Sequence, residues 1–307
     1  MVSERPAVRI VEVNAVRLSY REGGDPKGAP VVLLHGSGSD AATWDRFVVR
    51  LAAGGYRCIA LDLRGHATSA RTADYSLTSI RNDVLHLLET LALQDAILIG
   101  HSVGGYAALA AALHSPGRVS RLVLEDLAAP PRSATGMSAT GLVRGLLAAV
   151  GVLTERRTYE LRAVASILRQ LSRPDPEWWA RLGDVRPATL ILSGGPTSCI
   201  PPQRLAEVAA AVPGAELVTI PVGHRVHSLA PDRFAAEVTA FLSEPGVAHP
   251  EYTSAASSST GRSTAPTPDR GRRRAADDQV VADGSGTVGR SWWDATEAGT
   301  GRASGFS

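Results

Sequence analysis

The feature that most constrains this chain is the segment Gly100-His101-Ser102-Val103-Gly104-Gly105, which separates a continuous apolar run at 96–99 from a segment of helical period that opens at Val103. A strand turning this sharply into a helix forces the residue between them into a strained backbone conformation, and its neighbours must be small to avoid clashes. Ser102 is that residue. Its hydroxyl then stands above the sheet at a helix N-terminus, where free N–H groups and the helix dipole favour developing negative charge. A serine so placed is a candidate nucleophile, and the strand before it and helix after it argue against a chance glycine-rich turn.

The rest of the chain, from Val8 to about Leu242, supplies a sheet for that turn to sit on. Apolar runs at 31–34, 58–61, 96–99, 122–124, 190–192 and 217–220 are short and nearly continuous, as expected for strands buried on both faces. Between them, residues 40–53, 76–93, 103–114, 203–212 and 227–242 carry apolar spacing near 3.6, with Asp40 and Ser76 as caps. The opening runs 8–13 and 16–20, split only by Asn14 and Ala15, predict an antiparallel hairpin at a sheet edge. This alternation predicts an α/β fold with helices on both faces of the sheet. From 131 to 186 only helical patterns occur, which predicts an inserted cap. Beyond residue 243 the composition turns to Ser, Thr, Gly, Pro, Ala, Arg and Asp, too poor in aliphatic side chains to offset chain entropy, so a low-complexity, disordered tail is expected over 244–307.

Several ordered motifs extend the reading. His35-Gly36-Ser37-Gly38 follows the run at 31–34, and Asp62-Leu63-Arg64-Gly65-His66-Ala67-Thr68-Ser69 follows the run at 58–61. Gly223-His224 follows the last apolar run and precedes the last helical segment. With Ser102 in its turn, these resemble the α/β-hydrolase superfamily over roughly residues 8–243, as a capped, esterase-like member with a serine nucleophile. The resemblance implies a mostly parallel eight-stranded sheet flanked by helices, with a small helical cap over 131–186 in a hydrolase domain spanning 1–243. It also implies an oxyanion hole from the backbone N–H groups of Ser37 and Val103, a strong contribution to acyl-transfer catalysis. His35 is expected to brace its loop rather than bind a ligand. Ala67 stands where the superfamily usually has glycine, so a positive φ there would strain the backbone by roughly 1–2 kcal/mol.

A serine hydroxyl needs a base to take its proton, and His224 is the candidate, in the superfamily's order of serine, acid, histidine. The acid usually follows the next-to-last strand, but that position holds Thr197 or Ser198. The preceding strand ends in Glu125-Asp126, and some superfamily members, haloalkane dehalogenases and certain lipases among them, carry their acid at that strand end. Asp126 is therefore the expected acid, with Glu125 as the substitute if the register slips by one. His227 is expected to pack or orient the loop, with a share in the base role left open, and His101, His66, His86, His114 and His249 are given no chemical role.

Composition adds exclusions. With 32 Lys and Arg against 30 Asp and Glu, the formal net charge of +2 predicts neither a nucleic-acid nor a membrane partner. Cys58 and Cys199 form no metal-ligand spacing and no disulfide framework. No secretory h-region or run of membrane-spanning length occurs, so a cytoplasmic protein is expected. No metal or organic cofactor is implied. Ser102 predicts a serine hydrolase acting on a small ester or related carbonyl compound through an acyl-enzyme, and the Leu-, Val- and Ala-rich cap predicts a substrate with an apolar portion. The alternatives are a cofactor-free haloperoxidase or perhydrolase, a C–C bond hydrolase, and a non-catalytic receptor or scaffold on the same fold.

Overall fold

A computed structural model describes residues 6–133 and 158–244, all within the unit Met1–Val247. The expected helix at 142–150 and the expected disordered tail lie outside the described residues. The strands are β1 (Ala7–Val13), β2 (Val16–Gly24), β3 (Pro30–Leu34), β4 (Arg57–Leu61), β5 (Ala96–His101), β6 (Val119–Glu125), β7 (Ala188–Ser193) and β8 (Glu216–Thr219). They form one eight-stranded sheet in the order β1-β2-β4-β3-β5-β6-β7-β8. β1 with β2 and β2 with β4 run antiparallel, and every other pair is parallel.

Among the described residues the α-helices are α1 (Asp45–Ala53), α2 (Leu77–Thr90), α3 (Val103–His114), α4 (Leu161–Leu171), α5 (Pro176–Ala180), α6 (Pro202–Ala211), α7 (Val226–Leu229) and α8 (Pro231–Ser243). Several begin where the sequence supplies a start signal. Ser76 accepts a hydrogen bond from the Ser79 N–H at the head of α2, and Asp175 does the same for Trp178 at α5. Pro stands in the first turn of α5, α6 and α8, where its missing N–H costs nothing.

The central strands β3, β4 and β5 are almost wholly buried, as their unbroken apolar runs require. β8 is different. Its burial was expected to match theirs, yet three of its four residues are exposed, because it is the last strand of the sheet and has a neighbour on one side only. The opening hairpin is also only half an edge, since β1 is the terminal strand and β2 pairs onward with β4. In the 131–186 segment, α4 forms as its period predicts, with Ala163, Val164, Ile167, Leu168 and Leu171 buried. The segment is not purely helical, however. Tyr159 makes an antiparallel bridge to His66, tying it to the loop after β4. No helix among the described residues is long and apolar enough to cross a membrane.

Candidate active site

The site is assembled at the carboxyl ends of β3, β5, β6 and β7. Ser102, between β5 and α3, takes φ 53 and ψ −116, the strained conformation its motif predicts. The flanking glycines are required by contact, because a Cβ on Gly100 would lie 2.3 Å from the Gly104 carbonyl oxygen, and one on Gly104 would lie 2.2 Å from that of Leu34. Val103 opens α3, so its N–H has no acceptor within the helix. Gly36 packs directly against the turn, and a Cβ there would approach Ser102 Cβ to 3.3 Å. Ser37, the next residue, is buried, and its hydroxyl has no hydrogen-bond partner among the described residues.

Two histidines brace the segment 35–38. His35 donates through Nδ1 to the Gly36 carbonyl at 2.8 Å and accepts the Leu63 N–H on Nε2 at 3.0 Å, the bracing role expected of it. Burial holds its pKa below the usual histidine value. His66, given no role by sequence, donates through Nδ1 to the Arg64 carbonyl and accepts the Gly38 N–H at 3.2 Å. Burial first, and then the charge of His35, pushes its pKa down to about 3, so it stays neutral and keeps the lone pair that holds Gly38. Ala67 beside it has φ 44, and its N–H donates to the Thr158 carbonyl. The strain predicted for this residue is present, and the conformation presents its N–H to residue 158.

At the end of β6 the two candidate acids separate. Asp126 turns out of the strand at φ 45, a left-handed conformation that a short polar side chain tolerates. Its Oδ2 lies 2.6 Å from His224 Nδ1, while Oδ1 accepts the Gly194 N–H at 2.8 Å. The acceptor on His224 is thus Asp126, and Glu125 is engaged elsewhere, with His227 Nδ1 at 2.7 Å. Ser198, in the place where the superfamily usually carries its acid, donates its hydroxyl to Asp126 Oδ2. The hydroxyl that replaces the missing carboxylate therefore supports the displaced one. No sequence signal marked Ser198 for this, nor Cys199, which stands near enough to His224 to bear on its charge.

Burial disfavours the charged form of His224, but the hydrogen bond to the Asp126 carboxylate, aided by the neighbouring Cys199 side chain, outweighs it and raises the pKa to about 10. Its Nδ1 engaged by Asp126, the neutral ring carries its lone pair on Nε2. His101 donates from Nε2 to the His224 carbonyl at 2.8 Å, and burial together with His224 and His227 keeps its pKa well below the usual value. Among the described residues, no group of three or more His, Cys, Asp or Glu side chains is arranged to hold a metal ion.

A mostly parallel sheet with this serine turn and this acid–histidine pair beyond its strand ends is the architecture of hydrolase-fold enzymes. The chain belongs to the alpha/beta hydrolase family, whose model matches residues 31–237. It is 31% identical over 265 residues to the dihydrolipoyllysine-residue acetyltransferase component of an acetoin cleaving system from Pseudomonas putida, covering 78% of this chain and 70% of that one. It is 27% identical over 257 residues to an sn-1-specific diacylglycerol lipase from Mus musculus, covering 71% and 82% respectively. Among solved structures, an esterase from Exiguobacterium antarcticum superposes with a TM-score of 0.69 at 21% identity over 78% of this chain and 100% of that one, a likeness of fold.

Proposed function

We propose that this protein is a serine hydrolase that cleaves a small ester or related carbonyl substrate through an acyl-enzyme on Ser102. The observation that carries the proposal is the 2.6 Å contact between His224 Nδ1 and Asp126 Oδ2, which gives the ring both an orientation and an anion to stabilise its protonated form. In this reading His224 takes the Ser102 proton as the hydroxyl attacks the carbonyl carbon. The N–H groups of Ser37 and Val103 hold the oxyanion, His224 returns the proton to the leaving alcohol, and water then repeats the sequence to free the acid.

A receptor or scaffold function drew its support from the lack of an acid at 197–198, and Asp126 removes that support by filling the acceptor position on His224. The lipase and esterase names of similar proteins favour ester chemistry. One relative is named for acetyl transfer, which makes the acceptor of the acyl group the point to measure. The free thiols Cys58 and Cys199 support a cytoplasmic location.

The test is to treat the purified chain with a fluorophosphonate probe, map the adduct by mass spectrometry, and follow hydrolysis of p-nitrophenyl esters of increasing chain length. An adduct on Ser102, absent from Ser102→Ala, together with multiple turnovers, is the expected result. A folded chain that remains unlabelled and turns over no ester sinks the proposal. Peroxide with a short carboxylic acid as substrate separates the perhydrolase alternative, and loss of a coloured dienoate the C–C hydrolase.

A further inference from the structure

Beside the Asp126–His224 pair runs a second carboxylate–histidine pair that the proposed reaction does not use. Glu125 is fully buried, and Oε1 accepts the backbone N–H of His227 at 2.9 Å while Oε2 lies 2.7 Å from its ring Nδ1. On the far side of the ring, His227 Nε2 meets Thr43 Oγ1 at 2.7 Å. The ring is sandwiched as well, 4.3 Å from the Trp44 ring and 5.2 Å from that of His101. An ion pair is not needed to account for this arrangement. A neutral His227 with its proton on Nδ1 donates to Glu125 and accepts the Thr43 hydroxyl, so every hydrogen bond is satisfied without a charged ring.

The placement of this unit is what gives it consequence. Glu125 is bonded along the chain to Asp126, His227 follows His224 by three residues at the start of α7, and Thr43 lies just beyond the segment 35–38. Upstream, the loop that carries His224 is fastened by main chain, with the Gly223 N–H donating to the Gly194 carbonyl at 2.9 Å. Downstream, its polar fastening is to Glu125, which takes both N–H groups of His227. With the usual acid position occupied by hydroxyl side chains, the relation of acid to base depends on how β6 and the 224–227 turn are held together.

We propose that Glu125, His227 and Thr43 are a positioning unit that fixes the Asp126–His224 pair relative to Ser102 and the segment 35–38. It rests on the serine-hydrolase reading for its catalytic consequence but not for its geometric one. The titratable groups that face His224 are Asp126, Cys199 and His101, and those that face His227 are Glu125 and His101, with Thr43, Trp44 and Phe234 completing its surroundings. Loosening the unit frees the His224 ring from Asp126, which weakens the interaction that favours its protonated form.

The test uses the full chain in three variants, Glu125→Ala, Glu125→Gln and Thr43→Val, with two readouts. The first is kcat and KM on a p-nitrophenyl ester with the rate of fluorophosphonate labelling across pH. The second is the titration of the His224 ring followed by NMR, which does not depend on Ser102 reacting. Glu125→Ala is expected to lower kcat by about tenfold to a hundredfold with KM within about twofold. Its His224 titration midpoint moves to lower pH. Glu125→Gln keeps an oxygen for both N–H groups of His227 and recovers most of the rate. Thr43→Val, which removes one hydrogen bond and leaves Glu125 in place, moves the same two readouts in the same direction by less, and stands in if Glu125→Ala does not fold. A folded Glu125→Ala that melts lower but keeps the wild-type kcat and midpoint overturns the proposal and leaves the unit a packing element. A wild type that neither labels nor turns over ester ends the hydrolase reading, while the NMR midpoints still decide the positioning claim.

Discussion

Asp126 Oδ2 and His224 Nδ1, separated by 98 residues in the chain, stand 2.6 Å apart at the carboxyl end of the sheet. The same oxygen receives the Ser198 hydroxyl, and the other carboxylate oxygen receives the Gly194 N–H. Asp126 is thus held from β7 while it holds the histidine.

Replacing Asp126 with asparagine keeps the shape and removes the anion. An amide in that position also presents its NH2 or its oxygen to Nδ1 indifferently, so the ring loses its fixed tautomer. A fall in kcat of about 10³-fold or more is expected on an ester substrate, with Ser102 still present and the chain still folded. A loss of less than about tenfold, measured under saturating substrate, would mean that His224 draws its orientation from elsewhere.

The pH dependence follows from the raised pKa of His224. In the proposed reaction the ring must be neutral to accept the Ser102 proton, so kcat/KM rises with pH as His224 deprotonates, and its acid limb lies on the alkaline side of an ordinary histidine. Cys199 is among the causes of that rise. Cys199→Ala removes that neighbour and shifts the limb toward lower pH, without abolishing turnover. A limb that stays in place in Cys199→Ala, read from a pH–rate profile, removes the thiol from the electrostatics of the site.

Gly36 has no room for a side chain. A Cβ there would lie 2.5 Å from His101 Nδ1, and His101 is the donor to the His224 carbonyl. Gly36→Ala therefore displaces the ring or the loop, at a cost of about 1–3 kcal/mol in stability. Because the displaced ring supports His224, the rate of Ser102 labelling falls by about tenfold or more. Thermal melting and probe kinetics measured on one preparation check both parts.

Ala67→Gly acts in the opposite direction. The native φ of 44 strains an alanine by roughly 1–2 kcal/mol, against which glycine gives up roughly 0.5–1 kcal/mol of unfolded-state entropy. The expected net is a gain of roughly 0–1.5 kcal/mol, a rise in Tm of up to about 6 °C for a domain of this size. A lower Tm would show that the strain at this position is relieved by its neighbours.

Much of this protein is written locally. The turn at 100–105 dictates a strand, a strained serine and a helix, because only glycine fits where the strand and helix backbones touch, and the alternation of apolar runs with helical periods dictates the layers on either side. Even the carboxylate that meets His224 was legible to within one residue, from the end of an apolar run. What sequence left open was the choice between Glu125 and Asp126, and the tertiary structure decided it: Glu125 ends the strand and meets His227, while Asp126, turned into a left-handed conformation one residue later, meets His224. Likewise the exposure of β8, the support of Asp126 by Ser198, the place of Cys199 beside His224, and the hold of His66 on Gly38 leave no periodic mark. Each depends on which segments distant in the chain the sheet order brings side by side, and a hydrogen bond between such segments imposes no spacing on the residues that make it.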